Sequence, residues 1–283
     1  MAKYPDYSGN ACAAFSDEDR DQLWEIARRL VDARGIVVRI ASLLGDGVEW
    51  IAGRAAGIGA AVFGQGWQEK VQEFTEEALW RAQDWATVGL DPKGDREPWN
   101  WFNKVVASLT GGTAGFFGLP GVAVDIPVTT LLMMRSIAEI ARSCGEDLGD
   151  DDVKRACLQV FAFGGPGTED DDVEVGYWTA RAGLAHLATE ELVKRTAVIF
   201  GAALTEKAAA MAVPLAGSAA GGTLNWAFMD FYQDMARVHF TLRSLERKYG
   251  DEAGVRACFD RLVRQARDRK RLRNTGDSGG PSI

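Results

Sequence analysis

Apolar residues recur at helical spacing along most of this chain. Ser16 is followed by an acidic first turn and then by apolar positions three or four residues apart, which predicts an N-cap and an amphipathic helix. Those positions are Leu23, Ile26, Ala27, Leu30 and Val31. The segment from Trp67 to Trp85 shows the same periodicity and predicts a second helix of this kind. Its expected apolar face consists of Val71, Phe74, Ala78, Ala82 and Trp85.

Two predicted loops divide this helical pattern. Asp91 to Pro98 contains two prolines, a glycine and alternating charges, and it separates an N-terminal helical region from the remainder. Gly164 to Glu174 joins a Gly-Gly-Pro-Gly sequence to an acidic run, and we expect two further helices after it. No segment of four or more residues alternates strictly between apolar and polar positions with turn dipeptides on either side. We therefore predict an all-α fold, a bundle of several helices.

The chain also contains two stretches without any charged residue, from Val105 to Val124 and from Ala208 to Met229. A helix of about 20 residues matches a hydrocarbon core about 30 Å thick, so each stretch is long enough to cross a bilayer. Both are built largely of small residues and are interrupted by glycine and proline, which makes the apolar driving force per residue modest. We therefore expect shallow insertion or a re-entrant hairpin rather than two standard spanning helices.

Composition limits the classes of protein that this sequence can represent. The 283 residues are 47% hydrophobic and 25% charged, with a mean hydropathy of -0.13, which is typical of a folded soluble protein. The net charge of -8 argues against nucleic-acid binding, which needs a clustered excess of lysine and arginine. Residues Met1 to Arg20 show no secretory signal, and the four cysteines lack metal-binding spacing. We therefore expect reduced thiols in a cytoplasmic protein.

A weak internal echo follows the first loop. Asp125 leads through a helix and a glycine to Arg155-Ala156-Cys157, and Asp230 leads through a helix and a glycine to Arg256-Ala257-Cys258. The spacing differs between the two copies, so gaps are needed to align them. Internal duplication and coincidence both stay open.

Several blocks in this part of the chain resemble the EcsC family, and the likeness covers Trp99 to Arg261. The blocks are Leu119-Pro120-Gly121, Asp125-Ile126-Pro127, the helix Leu131 to Arg142, Phe161 to Gly165, Gly176-Tyr177-Trp178, and Met229-Asp230 to Lys248-Tyr249-Gly250. The resemblance implies a bacterial protein of a family that is thought to be membrane-associated, is named for a gene product encoded beside an ABC transporter, and has no established catalytic residues. The predicted organisation is a polar tail 1–15, an N-terminal helical region 16–90, an EcsC-like helical domain 99–268, and a basic, then disordered, tail 269–283.

Asp125 is a candidate helix cap. It precedes Ile126 and Pro127, and an aspartate in that position accepts hydrogen bonds from free amide groups and favours the positive end of the helix. The alternative is an intramembrane acid that handles ions or protons. We favour the cap.

Other charged residues fall on shared helix faces. Asp230, Asp234 and Arg237 lie at positions i, i+4 and i+7, which is compatible with a pair of carboxylates for a metal or substrate. We favour a network of acids and arginines that joins two helices. Glu139 and Arg135, four residues apart, invite the same interpretation.

Aromatic residues in or beside the uncharged stretches, together with the basic run near the C-terminus, are candidate membrane contacts. Aromatic rings anchor at headgroup depth and basic residues attract anionic headgroups, but core packing and a solvated helix end explain them equally well. The candidates are Trp99, Trp101, Phe116, Phe117, Trp226, Arg269, Lys270, Arg271 and Arg273.

One motif resembles that of an enzyme, and we expect a chance match. Gly276 to Pro281 reproduces the nucleophile signature of trypsin-like serine proteases, but those enzymes need a β-barrel and an upstream histidine, and this chain shows no strand pattern. We expect a non-catalytic protein without cofactor or metal, associated peripherally with the inner membrane from the cytoplasm, with the lipid surface as its partner. The alternative is a soluble bundle that binds a lipid or other hydrophobic ligand in an apolar pocket. The sequence identifies no partner protein.

Overall fold

The computed structural model describes residues 10–44, 67–85, 90, 104–107, 119–163, 173–198 and 216–277. These ranges contain helices and no strand, which confirms the predicted all-α fold. A 3-10 turn at Asn10–Cys12 and a short helical segment at 104–107 accompany the longer helices. The longer helices are α1 (Asp17–Leu44), α2 (Trp67–Trp85), α3 (Leu119–Ser143), α4 (Asp151–Ala162), α5 (Val173–Ala185), α6 (189–198), α7 (Ala216–Tyr249) and α8 (Glu252–Asp277).

Helix α1 begins where the capping pattern predicts. The Ser16 hydroxyl accepts a hydrogen bond from the backbone amide of Asp19 at 3.2 Å, which satisfies one of the free donors of the first turn. Helix α2 has the predicted bounds, and α5 and α6 are the two helices expected before the second uncharged stretch.

The predicted apolar face of α2 is wrong at Phe74, whose residue is 46% exposed. The buried face instead follows the spacing i, i+4, i+7, i+8 and i+11, which forms a single stripe on a helix. Phe74 lies at the edge of that stripe. The buried residues are Val71, Thr75, Ala78, Leu79 and Ala82.

The prediction that Asp125 caps a helix is also wrong. Helix α3 begins at Leu119, so Asp125 lies inside the helix and its side chain is buried. Pro120 stands in the first turn, where a residue without an amide hydrogen removes no intrahelical hydrogen bond, so the chain can become helical before Asp125.

Helices α3 and α7 pack side by side and run in the same direction. Asp125 faces Asn225, Ser136 faces Gln233, and Cys144 faces Thr241, so contacts advance together along both helices. The sequence separation of these pairs stays between 97 and 100. The two helices are therefore parallel and in register over this length.

Helices α1 and α8 complete the bundle around α7. Arg29 of α1 pairs with Asp234, and Asp19 pairs with Lys248, so α1 runs antiparallel to α7. Helix α8 turns back from α7 at Gly250, whose positive φ of 63° favours glycine. The helix continues through the basic run to Asp277, past the predicted domain boundary at 268.

The cysteine prediction is confirmed for two residues and wrong for the other two. Cys144 and Cys157 are free thiols. Cys12 and Cys258 form a disulfide that joins the N-terminal 3-10 turn to α8. The two residues are 246 positions apart, so spacing along the chain offered no signal that they meet.

The structure does not show an internal duplication. Helices α3 and α7 are each followed by a glycine with positive φ, Gly145 and Gly250, and then by another helix. The two echoed acids differ in position and setting, because Asp125 is buried near the start of α3 whereas Asp230 is only partly buried near the middle of α7.

We expect loss of the disulfide to lower the free energy of unfolding by about 2–4 kcal/mol, because the bond constrains the unfolded chain. Urea unfolding of the double variant C12S/C258S, followed by circular dichroism, measures this loss. The control is Cys144→Ser, which removes a thiol and leaves the bond intact. Thiol titration of the denatured, unreduced protein should detect only Cys144 and Cys157. Reactivity of all four cysteines would contradict the disulfide.

Candidate functional site

Ion pairs between helices concentrate near the C-terminal end of α7. Glu146, after α3, pairs with Arg243 at 2.9 Å, and Glu246 accepts two hydrogen bonds from Arg181 of α5, at 2.8 and 2.6 Å. Paired arginine donors of this kind fix both distance and orientation. The part of the bundle that contains Glu146, Arg181, Arg243 and Glu246 is called the ionic end below.

Asp19 belongs to the same ionic end. Burial by itself raises the pKa of Asp19, but hydrogen bonds from Lys248, Ser16 and Tyr249 outweigh burial and hold the pKa below its usual value. The carboxylate therefore stays charged while it joins α1 to the last turn of α7.

The two predicted acidic residues of α7 do form ion pairs between helices. Their basic partners lie on other segments of the chain and not on α7. Asp234 accepts from Arg29 of α1 at 2.7 Å, and Asp230 pairs with Lys104 of the short segment before α3. Burial raises the pKa of Asp234, and the neighbouring Arg29 opposes that shift. Within α3, Glu139 and Arg135 lie 3.4 Å apart, as their spacing predicts.

A small cleft lies beside the third member of that predicted set, Arg237. The cleft has a volume of about 250 Å³ between α1, α3 and α7. Ile26 and Ile140 provide its buried apolar floor. Its other lining residues, Gln22, Glu25, Arg29, Ser143, Cys144, Arg237 and Thr241, carry polar or charged groups. In the ranges that the structure describes, no cluster of three or more His, Cys, Asp or Glu residues is arranged to hold a metal ion.

At the opposite end of α7, polar contacts are made mainly by neutral groups. The Asn225 amide donates to the carbonyl oxygen of Ala107 at 2.7 Å, to Asp125 at 3.1 Å and to the Thr129 hydroxyl at 3.2 Å. Thr129 also donates to Asp125 at 3.0 Å. This buried cluster fastens segment 104–107, α3 and α7 to one another.

The cluster brings the two uncharged stretches together. Ala107 belongs to the first uncharged stretch, and α3 begins within that stretch. Asn225 belongs to the second uncharged stretch. Helices α3 and α7 both begin at this end. The part of the bundle that contains the described residues of the two uncharged stretches, 105–107, 119–124 and 216–229, is called the uncharged end below. Among the helices of the described ranges, none is both long enough and apolar enough to span a bilayer.

Trp226 is an exposed aromatic residue among the described positions of the uncharged end. The residue is 39% exposed, and the ammonium group of Lys104 lies 5.6 Å from the centre of its ring. Ala107 and Met229 of the same stretches are buried, whereas Val105, Val106 and Phe228 are only partly buried. The described parts of the uncharged stretches are thus not wholly enclosed in the core.

The basic candidates of α8 divide into two groups. Arg269 stacks on Trp24 of α1 at 4.9 Å, and Lys270 donates to the carbonyl oxygen of Val31 at 2.8 Å. These two residues hold α8 against α1. Arg271 and Arg273 are exposed. The remaining aromatic candidates, Trp99, Trp101, Phe116 and Phe117, lie outside the described residues, and so does Ser278 of the protease-like motif.

A buried aromatic group around His239 was not anticipated from the sequence. The Tyr177 hydroxyl and the His239 Nδ1 atom lie 3.1 Å apart, and the buried Nε2 of the same ring has no hydrogen-bond partner among the described residues. Burial, followed by the charges of Arg181 and Arg243, holds the pKa of His239 well below its usual value. A lone histidine in an apolar helix offers no signal of this contact, because its partner lies on another helix.

Within the described residues, the fold is an all-helical bundle in which ion pairs between helices lie near the C-terminal end of α7 and the two uncharged stretches meet near its start. A model of the EcsC protein family matches residues 96–245, which is more than half of the chain. The chain therefore belongs to the EcsC protein family. Helices α1, α2 and α8 lie outside the matched range. No curated protein and no solved structure matches the chain.

We expect Asn225→Ala to lower the free energy of unfolding by about 2–4 kcal/mol, because the buried Asp125 carboxylate loses a donor. The double variant with Asp125→Ala should lose less than the sum of the two single changes, by about 0.5–3 kcal/mol. Gln233→Ala is the matched control, since it removes a neutral contact between α3 and α7. Strict additivity at Asp125 and Asn225 would refute a coupled cluster.

His239 should make the fold sensitive to acid. Because its pKa is lowered in the folded state, the unfolded chain binds more protons below about pH 6.5, and stability falls as pH decreases, by up to about 1.4 kcal/mol per pH unit. Urea unfolding between about pH 7 and pH 5 measures this slope, which His239→Gln should reduce. The matched control is His186→Gln, which changes the only other histidine, an exposed one. Equal slopes in all three proteins would exclude His239 as the source.

Proposed function

We propose that this protein binds the surface of a membrane through its uncharged end and acts there without catalysis. The observation that carries the proposal is the convergence of both uncharged stretches at the end of the bundle that also exposes Trp226. The membrane is the inner membrane, approached from the cytoplasm, and the role is accessory to transport or to another envelope process.

The distribution of ion pairs sets the orientation. Moving paired charges such as Arg181 and Glu246 into hydrocarbon would require their desolvation, which is expensive even for a well-formed pair. The uncharged end carries no such penalty along its two stretches. It is therefore the end that faces lipid.

The depth of insertion follows from the lengths of the described helical segments. The uncharged part of α7, residues 216–229, extends about 20 Å at 1.5 Å per residue, which is shorter than a hydrocarbon core of about 30 Å. An exposed aromatic ring beside a lysine, as at Trp226 and Lys104, is suited to the headgroup region, where the ring contacts lipid and the ammonium group stays paired with Asp230. Shallow insertion satisfies both observations.

The second candidate function is binding of a lipid or other hydrophobic ligand in a pocket. The cleft beside Arg237 has a volume of about 250 Å³, whereas pockets for drug-sized ligands have volumes of about 300–1,000 Å³. From the part of the chain that the structure describes, the membrane surface is therefore the better-supported partner, and native mass spectrometry that detects a co-purifying lipid would reverse this preference.

We expect the purified protein to sediment with phosphatidylcholine vesicles that contain a fraction of phosphatidylglycerol. Trp226→Ala should weaken binding about 3- to 10-fold, because burying an aromatic side chain contributes about 1.5–3 kcal/mol and this ring is already partly covered. Trp80→Ala is the matched control, since Trp80 is 40% exposed on α2.

Protein that stays wholly in the supernatant with these vesicles would refute the proposal. Equal losses for Trp226→Ala and Trp80→Ala would show that the uncharged end is not the contact surface. Fractionation of cells with salt and carbonate washes tests the cellular side of the proposal.

Disulfides are rare in the cytosol, but both sulfurs of the pair Cys12 and Cys258 are in fully buried residues, which limits access of reductants.

A further inference from the structure

The final turns of α8 reverse the charge of an otherwise acidic protein. The chain has a net charge of -8, yet residues 264–273 contain arginine or lysine at most positions and a single acid, Asp268. Arg264, Arg271 and Arg273 are exposed, and Leu272 between the last two is 59% exposed. Residues 271–273 are called the basic tip below.

The basic tip is held in place by its own neighbours. Lys270 donates to the Val31 carbonyl at 2.8 Å and lies 3.2 Å from the Asp32 carboxylate, and Arg269 stacks on Trp24. These contacts fix the preceding turn of α8 against α1. The basic tip therefore presents its side chains from an ordered helix, and less conformational entropy is lost when it binds.

Helix directions place the basic tip on the same side as the uncharged end. Arg29 of α1 contacts Asp234, and Asp32, three residues further along α1, contacts Lys270. Because α1 runs antiparallel to α7, Asp32 and Lys270 lie beyond Asp234 in the direction of Asp230 and Trp226. The basic tip continues in that direction, since α8 runs from the turn at Gly250 towards the start of α7.

We propose that the basic tip binds the headgroups of anionic lipids, so that this protein selects an anionic membrane. The inference rests on the proposed membrane function and adds the lipid class and the residues that recognise it. Arg271 and Arg273 contact headgroup phosphates, and Leu272 enters the boundary between headgroups and acyl chains.

A lipid surface suits the basic tip better than other anions. Leu272 has no role in binding free phosphate, whereas an apolar side chain flanked by cations matches a boundary that is apolar below and anionic above. The acidic remainder of the molecule repels an extended nucleic acid, which would have to pass beyond these few residues. A membrane that contacts the uncharged end meets the basic tip in the same approach.

Vesicle sedimentation with two lipid compositions tests this selectivity. One set of vesicles contains phosphatidylcholine alone, and the other contains phosphatidylcholine with about a third phosphatidylglycerol, an anionic fraction that attracts basic residues by about 1 kcal/mol each. We expect binding to the anionic set to be about 10- to 30-fold tighter and to weaken as salt increases. The variant R271E/R273E should lose this preference and keep the weaker binding to phosphatidylcholine.

The matched control is K194E/R195E, which makes the same change of charge at two exposed residues of α6. Circular dichroism of both double variants should show unchanged helix content, since all four positions are exposed. Leu272→Ser should weaken binding to both vesicle sets, because it removes apolar contact and leaves the charge unchanged.

The outcomes separate the inference from the function on which it rests. No binding to either vesicle set refutes the proposed function itself. Equal binding to both sets, or equal losses from R271E/R273E and K194E/R195E, refutes only the basic tip as the site of lipid selection. Competition by inorganic phosphate that exceeds the effect of sodium chloride at the same ionic strength would reassign the basic tip to free phosphate and overturn the inference. Binding of a fluorescent single-stranded oligonucleotide that R271E/R273E abolishes would reassign the basic tip to nucleic acid and would overturn it as well.

Discussion

The parallel packing of α3 against α7 is the constraint on which the arrangement of charge depends. Each helix begins in an uncharged stretch and ends among ion pairs. Parallel packing in register therefore places the two uncharged starts side by side and the two ion-paired ends side by side. An antiparallel pair would have placed an uncharged segment beside the arginines of the other helix. Asn225 holds this register at one end through Asp125, and Arg243 holds it at the other end through Glu146.

Helices α1 and α8 lie outside the part of the chain matched by the family, yet they determine how that part is presented. Helix α1 neutralises Asp234 and positions Asp19 against the last turn of α7. Helix α8 places basic side chains beside the part of α7 where its acidic residues end and its uncharged residues begin. In this protein, the matched part of the chain supplies two helices that are uncharged at one end and ion-paired at the other, and α8 adds basic residues on the side of the uncharged end.

Local patterns sufficed for features that depend on a single helix. The cap at Ser16, the bounds of α2 and the two helices after the second loop were all predictable from spacing and turn chemistry. Features that join distant segments were not. Asp125 resembled a cap because its donor, Asn225, lies on another helix, and the same distance concealed the contact of Tyr177 with His239. The acids of α7 were recognised as parts of ion pairs, but Arg29 and Lys104, which neutralise them, were not identified.

The bond between Cys12 and Cys258 closes a covalent ring that contains nearly every helix of the bundle. A single cut by a protease anywhere within that ring opens it without releasing a fragment, so the nicked molecule keeps all its helices attached until a reductant acts. A pulling force applied between positions 12 and 258 is likewise carried by the sulfur atoms and bypasses the packed helices. Mechanical and proteolytic durability in this protein therefore depend on the redox state of its surroundings as well as on the packing of its core.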